Sequence, residues 1–146
     1  MTEHFALEEF THSDTANSCG IDNTAPPEVE AELERLMLVM EEVRIILDDQ
    51  PITITSGYRC LELNAEVNGA ADSAHCSGRA CDFVCPTFGT PLDICKRLEP
   101  YLFDLGVDQL IHEYDGWVHL AIAPVDQEPF CECLTIDDTG AHHGFA

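Results

Sequence analysis

The chain has 146 residues, and its 6 Lys or Arg against 28 Asp or Glu give a formal net charge of −22. This length predicts one domain with one buried core, and a hydrophobic fraction of 45% is too high for a disordered acidic chain. Six scattered cations cannot form the basic surface that binding to nucleic acid or anionic lipid requires, so the composition disfavours both partners. No apolar run is long enough for membrane insertion.

The first half of the chain predicts one long helix between less regular segments. Residues 1–26 predict an irregular N-terminal arm. An amphipathic helix follows over residues 29–47, where apolar side chains recur at spacings of three and four and form one buried face. The β-branched run at residues 52–55 predicts a strand, residues 60–67 a short helix and residues 68–73 a loop.

The second half predicts further strands with one helix between them. Residues 80–85 predict a strand and residues 91–98 an amphipathic helix. Two apolar, partly alternating runs, residues 107–114 and 117–123, predict a β-hairpin around an Asp-Gly pair. We expect residues 124–146 to be an irregular acidic tail.

Helices and strands are interspersed in this prediction, and the hairpin makes part of the sheet antiparallel. The sequence therefore predicts the α+β class, with a small mixed or antiparallel sheet packed by helices in one domain over residues 1–146.

Three polar residues stand where a half-buried sheet or its rim usually has apolar ones: His75, Asp82 and His119. Each alone is typical of a hydrogen-bonded core residue, but three together would each need a buried partner. Two neutral imidazoles and a carboxylate suit zinc, with a fourth position open for water, and such a site performs hydrolysis. The spacing is not a general zinc signature, so these residues leave two interpretations open: hydrogen-bonded core residues, or the ligands of one catalytic zinc ion.

A hydrolytic zinc site also needs a base, and the hairpin offers Glu113 and Asp115. A two-residue loop turns Glu113 away from the face of His119, whereas a three-residue loop pairs it with Trp117 and places it on that face. We favour the three-residue loop, which Gly116 would close in the left-handed conformation. Asp115 remains the alternative base, although its place at the tip favours a turn-forming role.

Arg59 is one of only six cations, and it comes directly after a predicted strand and turn. An arginine there could bind a substrate carboxylate with both nitrogens or stabilise an oxyanion. The alternative is a structural ion pair in a very acidic protein.

The chain has eight cysteines, which are Cys19, Cys60, Cys76, Cys81, Cys85, Cys95, Cys131 and Cys133. We favour reduced, mostly buried thiols, because the chain is long enough to fold without disulfides. Disulfides remain an alternative. So does a second metal site, or a metal-storage or redox role, built on Cys131 and Cys133 with His142 and His143.

Three motifs carry a resemblance to a known family: Thr55-Ser56-Gly57-Tyr58-Arg59 followed by Leu63-Asn64, then Ser73-Ala74-His75-Cys76-Ser77-Gly78-Arg79-Ala80-Cys81-Asp82, and Trp117-Val118-His119. They resemble the zinc D-alanyl-D-alanine carboxypeptidases and related peptidoglycan endopeptidases, in particular the small bacterial and phage members. The second motif matches S-x-H-x-x-G-x-A-x-D at every fixed position. The likeness covers about residues 5–123.

The resemblance implies a compact α+β domain of the kind shared with the hedgehog signalling domain. It also implies that His75, Asp82 and His119 are the zinc ligands.

For the remaining site residues, the resemblance implies that Arg59 binds and polarises the substrate, that Ser73 lies beside it in the pocket and that Glu113 is the general base and acid. Several branches of the family carry the acid three residues before the last histidine, where this chain has Gly116. The base therefore stays open between Glu113 and Asp115.

The expected function is a zinc metallopeptidase that hydrolyses peptidoglycan stem peptides, either as a D-Ala-D-Ala carboxypeptidase or as an L-Ala-D-Glu type endopeptidase. The alternative is a catalytically silent wall-binding or virion-associated module that keeps a structural zinc. We expect a monomer whose partner is the stem peptide. The first residues lack a signal-peptide pattern, so we expect synthesis in the cytoplasm and action on the cell wall after release or export, as for a phage endolysin.

Overall fold

A 20-residue helix and a six-stranded sheet enclose the core in the computed structural model, which describes residues 1–145. The α-helices are α1 (Leu7–Thr11), α2 (Asp14–Cys19), α3 (Pro27–Ile46), α4 (Leu61–Glu66), α5 (Pro91–Leu98) and α6 (Leu102–Leu105). The strands are β1 (Thr53–Ser56), β2 (Ala80–Val84), β3 (Val107–Glu113), β4 (Trp117–Ile122), β5 (Glu132–Asp137) and β6 (Gly140–His143). Short 3₁₀ helices span Ala74–Ser77 and Glu99–Tyr101. The predicted α+β class is confirmed.

Helix α3 forms where its periodicity predicts it, because one face of it is apolar throughout. Pro27 occupies the first turn and two acidic residues follow it, near the positive end of the helix dipole. The buried side chains on this helix are Val29, Leu33, Leu36, Met37, Met40 and Val43. Asp48 and Asp49, both in the left-handed conformation, turn the chain after the helix ends.

The strands are ordered β1-β2-β4-β3-β5-β6, and every neighbouring pair is antiparallel except β3 and β5, which are parallel. Alternate residues of each strand point to opposite faces of the sheet. One face belongs to the hydrophobic core that the helices cover, and it includes Cys81, Phe83, Leu110, Val118 and Leu120. The other face carries Asp82, Ile111, Glu113 and His119 and lines an open cleft.

The β3–β4 hairpin has the favoured register, with Glu113 opposite Trp117 and a three-residue loop between them. The expectation that Gly116 takes the left-handed conformation is wrong. Tyr114 and Asp115 do so instead, each with φ of 52°. The amide of Gly116 closes the loop by donating to the carbonyl of Glu113 at 2.9 Å, and the amide of Tyr114 donates to Ile136 on β5 at 2.8 Å.

The prediction of an irregular arm over residues 1–26 is wrong, because this segment contains α1 and α2. Phe5 and Phe10 fix the arm by burying their rings in the core. The hydroxyl of Ser13 caps α2 by accepting from the amide of Ala16 at 3.1 Å. Helices of five and six residues are too short for a clear apolar period, so caps and burial rather than pattern produce them.

The prediction of an irregular tail over residues 124–146 is also wrong, since this segment contains β5 and β6; residue 146 itself lies outside the described part. Strand β5 forms by pairing with β3, from Gln109 opposite Glu132 to Glu113 opposite Ile136. A pairing between distant segments supplies stability that local sequence does not show. Among residues 1–145, no helix combines the length and the apolar character that a membrane span requires.

Candidate metal centre and active-site cleft

The three predicted metal ligands come from three different elements and meet at the floor of the cleft. His75 lies on the 3₁₀ helix, Asp82 on β2 and His119 on β4, where strand pairing sets Asp82 directly opposite His119. All three side chains are buried, and one ligand atom from each lies within 4.8 Å of the other two. His75 and His119, which are more than forty residues apart in sequence, are therefore brought to one point.

The Asp82 carboxylate lies between the two imidazole rings. Its Oδ1 is 3.0 Å from Nδ1 of His119 and 3.3 Å from Nε2 of His75, and the ring centroids are 5.0 Å apart. The other nitrogen of His75, Nδ1, lies 2.7 Å from the carbonyl oxygen of Gly57. A carbonyl can only accept, so Nδ1 of His75 carries the proton and Nε2 presents its lone pair to the site.

Burial and mutual contact keep these groups in the ionisation states that a metal needs. Burial lowers the pKa of His75 and thus favours the neutral ring. Burial alone would raise the pKa of Asp82, but hydrogen bonds and charge from His119 and His75 outweigh it and hold that pKa well below its ordinary value. At neutral pH, the site therefore offers a carboxylate beside a neutral His75.

This donor set fits zinc. Two imidazole nitrogens and one carboxylate oxygen are a common three-residue set for catalytic zinc, which keeps a further position for water or substrate. The cleft supplies that access, since all three residues line it. Within residues 1–145 this is the one group of three or more His, Cys, Asp or Glu side chains whose ligand atoms converge.

Glu113 stands on β3 on the same face as His119, half-buried in the cleft lining. Burial raises the pKa of its carboxyl, and the negative charge of Asp82 raises it further, while His119, Trp117 and Arg59 partly oppose the shift. A carboxylate with a raised pKa is suited to accept a proton and later return it.

Asp115 is placed differently. Its side chain is 75% exposed at the hairpin tip, where it pairs with Nε2 of His112 at 3.0 Å, and it is not part of the cleft lining. The structure therefore brings Glu113, and not Asp115, to the face that carries the metal candidates.

Arg59 lines the cleft and is tied to the metal group through the backbone. Its amide donates to the carbonyl of His75 at 3.2 Å, and its guanidinium Nη1 donates to the side-chain oxygen of Asn64 at 3.0 Å. Asn64 is buried and donates in turn to the carbonyl of Ala70 at 2.9 Å. A Cβ on Gly69 would overlap the side-chain ends of both Asn64 and Arg59, so a larger residue there would displace this pair. Asn64 belongs to a motif of the family resemblance, but its position on a predicted short helix does not predict a contact with Arg59.

Ser73 also lines the cleft, at the start of the 3₁₀ helix that carries His75. Its hydroxyl oxygen accepts a hydrogen bond from the amide of His75 at 3.2 Å. In this structure Ser73 therefore orders the turn that presents His75.

The cleft has a volume of about 1190 Å³ and extends from Arg59 and Ser73 across the sheet to the C-terminal segment. Phe130, Glu132 and Ile136 form its far wall. The prediction of an irregular tail over residues 124–146 does not include this wall.

All eight cysteines are free thiols, and Cys81, Cys85 and Cys95 are buried. Cys131 and Cys133 are partly exposed. They and the histidines His142 and His143 do not form a convergent group of metal ligands among the described residues. His142 lies instead beside Thr139, with its Nε2 at 2.8 Å from the hydroxyl.

A family model described as Peptidase M15 matches residues 3–121, which include every candidate ligand, Arg59, Ser73 and Glu113. A search of curated proteins found none that matches the chain.

Proposed function

The chain belongs to the peptidase M15 family, a family of zinc peptidases, and from this premise we propose that it hydrolyses stem peptides of peptidoglycan. The observation that carries the proposal is the buried group of His75, Asp82 and His119 on the floor of an open cleft, with Glu113 on the same face. A purely structural zinc site would be closed and would not need a carboxylate with a raised pKa beside it.

His75, Asp82 and His119 would hold the metal. Bound zinc polarises a carbonyl and lowers the pKa of water to about 7. The remaining residues of the cleft then perform the proton transfers and the binding.

Glu113 is the general base and acid in this proposal. Its carboxylate takes a proton from a water whose oxygen bonds to the peptide carbonyl carbon. The protonated Glu113 then gives that proton to the amine nitrogen as the carbon–nitrogen bond breaks, so the glutamate returns to its starting state. Its raised pKa reduces the cost of holding the proton between the two steps.

Arg59 binds and polarises the substrate. Its guanidinium lines the cleft and is oriented by Asn64, so an N–H pair can be offered to a carboxylate or carbonyl oxygen of the peptide. Ser73 orders the turn at the same end of the cleft.

Two cleavage modes are compatible with this arrangement: removal of a terminal D-alanine from D-Ala-D-Ala, and internal cleavage at an L-Ala-D-Glu type bond. We propose that the protein acts as a monomer on the cell wall after release or export from the cell in which it is made, as a phage endolysin does. No nucleic acid is involved in the proposal, in agreement with the charge of −22.

Digestion of defined muropeptides, read by mass spectrometry, tests the function. The zinc-loaded protein should release a new product from at least one stem peptide, and the mass of that product identifies the bond. Glu113→Gln should release little, and Asp115→Asn, which changes the same charge at the exposed hairpin tip, should remain active. Bound zinc without hydrolysis of any muropeptide would instead favour a silent wall-binding module.

A further inference from the structure

We propose that the cleft wall formed by Phe130 and Glu132, with Asp108 beside them, is a subsite for a substrate side chain that has an apolar stem and a terminal ammonium group. This inference rests on the proposed peptidase function and names a feature of the substrate that the family match does not give. The match ends at residue 121, whereas the wall is formed by residues 130–136.

The position of β5 makes this wall a continuation of the catalytic face. Strand β5 pairs with β3 in parallel, with Glu132 beside Gln109 and Ile136 beside Glu113. The proposed base therefore lies on the strand next to the wall. Substrate that extends past Glu113 must meet β5.

Phe130 supplies the apolar surface. Phe130 lines the cleft and is 81% exposed. Its backbone is fixed by two hydrogen bonds: the amide of Phe130 donates to Oδ1 of Asp108 at 3.0 Å, and the amide of Cys131 donates to the carbonyl of Val107 at 3.1 Å. An exposed ring on a backbone fixed at two successive amides offers a flat face to an alkyl chain or to a cation.

The charge of the wall is negative. Gln109 holds the Glu132 carboxylate in place by donating to its Oε1 at 2.8 Å, and Asp108 lines the same part of the cleft. Among the described lining residues, Arg59 is the one lysine or arginine, against five acidic residues: Asp72, Asp82, Asp108, Glu113 and Glu132. An aromatic ring next to carboxylates binds an alkylammonium group better than it binds a neutral or anionic side chain.

The two ends of the cleft are separated by the sheet. Arg59 follows β1 at one edge, and β2, β4 and β3 lie between it and β5. Four strand spacings from β1, which Arg59 follows, to Glu132 on β5 give about 19 Å, which is about six residues of extended peptide. One short peptide can therefore place an anionic group at Arg59 and a cationic side chain at Glu132.

The test uses two stem peptides that differ only in a lysine or an Nε-acetyl-lysine, assayed as kcat/KM with the zinc-loaded protein. The wild type should prefer the free lysine by about threefold to tenfold, the range for a partly exposed charge on an aromatic and acidic site. Glu132→Gln should abolish this preference. Phe130→Ala should raise KM for both peptides and leave kcat unchanged.

Two matched variants serve as controls. Glu34→Gln changes the same charge on the exposed face of α3, and Phe103→Ala removes a ring that is 64% exposed on α6. Both should behave as the wild type. Equal rates on the two peptides, or a Glu132→Gln protein that keeps the preference, would overturn the subsite.

Failure of the subsite can be told apart from failure of the proposed function. Calorimetric binding of both peptides to zinc-loaded Glu113→Gln needs no turnover. If no peptide is cleaved but lysine is bound more tightly, and Glu132→Gln removes that difference, the subsite stands and the peptidase proposal fails. Equal binding of the two peptides by the Glu113→Gln protein refutes the subsite whatever the activity.

Discussion

The Nδ1 atom of His75 and the carbonyl oxygen of Gly57 lie 2.7 Å apart, and this contact determines which ring nitrogen is left for a metal. Gly57 itself is packed against the backbone of Phe10 so closely that an added Cβ would overlap it. The neighbouring amide of Tyr58 donates to the same Phe10 carbonyl at 2.6 Å. Helix α1 therefore holds the Gly57 carbonyl in place, and that carbonyl orients His75.

Gly57→Ala should weaken zinc binding without removing a ligand. The new methyl group would displace the backbone from Phe10 and with it the carbonyl that orients His75. Loss of such an outer partner lowers metal affinity by about 10-fold to 100-fold. Gly116→Ala is the control, because its Cβ would have no neighbour closer than 3.8 Å. Zinc titration with a competing chelator measures both, and equal affinity of the two variants would contradict the role of the contact.

Removal of zinc should lower the thermal stability of the protein, because the metal binds the ligands only in their folded arrangement, in which His119 lies beside His75 and Asp82. A free zinc concentration 100 times the Kd adds about 2.7 kcal/mol to the free energy of unfolding. His119→Ala should lose both this gain and the bound zinc, whereas His12→Ala, which alters an exposed surface pair, should keep them. Thermal melts with and without chelator, together with elemental analysis, give the answer.

Glu113→Gln should reduce activity and increase stability at once. Loss of a general base costs about 100-fold to 10,000-fold in rate. Because the folded-state pKa of Glu113 is raised, its ionised form is disfavoured in the fold, so a neutral isostere should raise the melting temperature of the metal-free protein at neutral pH. A variant with wild-type kcat/KM would move the base to another group, with Asp115 the first to test.

As the pH is lowered, kcat/KM should begin to fall at a pH above the pKa of an ordinary glutamate. Glu113 accepts a proton only as the carboxylate, so the rate rises with pH as the group ionises, and its raised pKa shifts that rise upward. Because the pKa values of His75 and Asp82 are lowered, protons displace the metal from these two side chains only at lower pH. If zinc stays bound over the pH range in which activity falls, the fall is due to protonation of Glu113. If zinc is lost in parallel with activity, the fall is not due to Glu113.

Thiol labelling should divide the cysteines by burial. Cys81, Cys85 and Cys95 should resist a thiol reagent in the folded protein, since burial raises their pKa values, that of Cys95 to about 12. All eight should react after denaturation without a reductant. Mass spectrometry counts the labels, and fewer than eight would indicate disulfides. A Cys131→Ser, Cys133→Ser double variant should keep one zinc per chain.

Much of this architecture follows from local pattern. Three elements have a continuous core face that their local sequence specifies: α3 by its apolar period, β1 by its β-branched run and the hairpin by its Asp-Gly pair. Their predicted bounds therefore differ from the observed ones by two residues or fewer. The predicted register, in which a three-residue loop places Glu113 on the same face as His119, is confirmed.

The missed features depend on contacts between distant residues. Strand β5 exists because β3 has an edge to pair with, and α1 exists because Phe10 is buried against the core. Asn64 is identified as a site residue only by its contacts with Arg59 and Ala70. None of these contacts produces a periodic pattern of apolar residues in the sequence.

The parallel pairing of β5 with β3 separates two tasks in the molecule. His119 and Glu113 stand on the β3–β4 hairpin, while Phe130 and Glu132 stand in a later segment that follows β4. Substitution of the Phe130 or Glu132 side chain therefore replaces neither a candidate ligand nor the proposed base. Side chains that line the far wall of the cleft can therefore differ while the metal candidates and Glu113 stay the same.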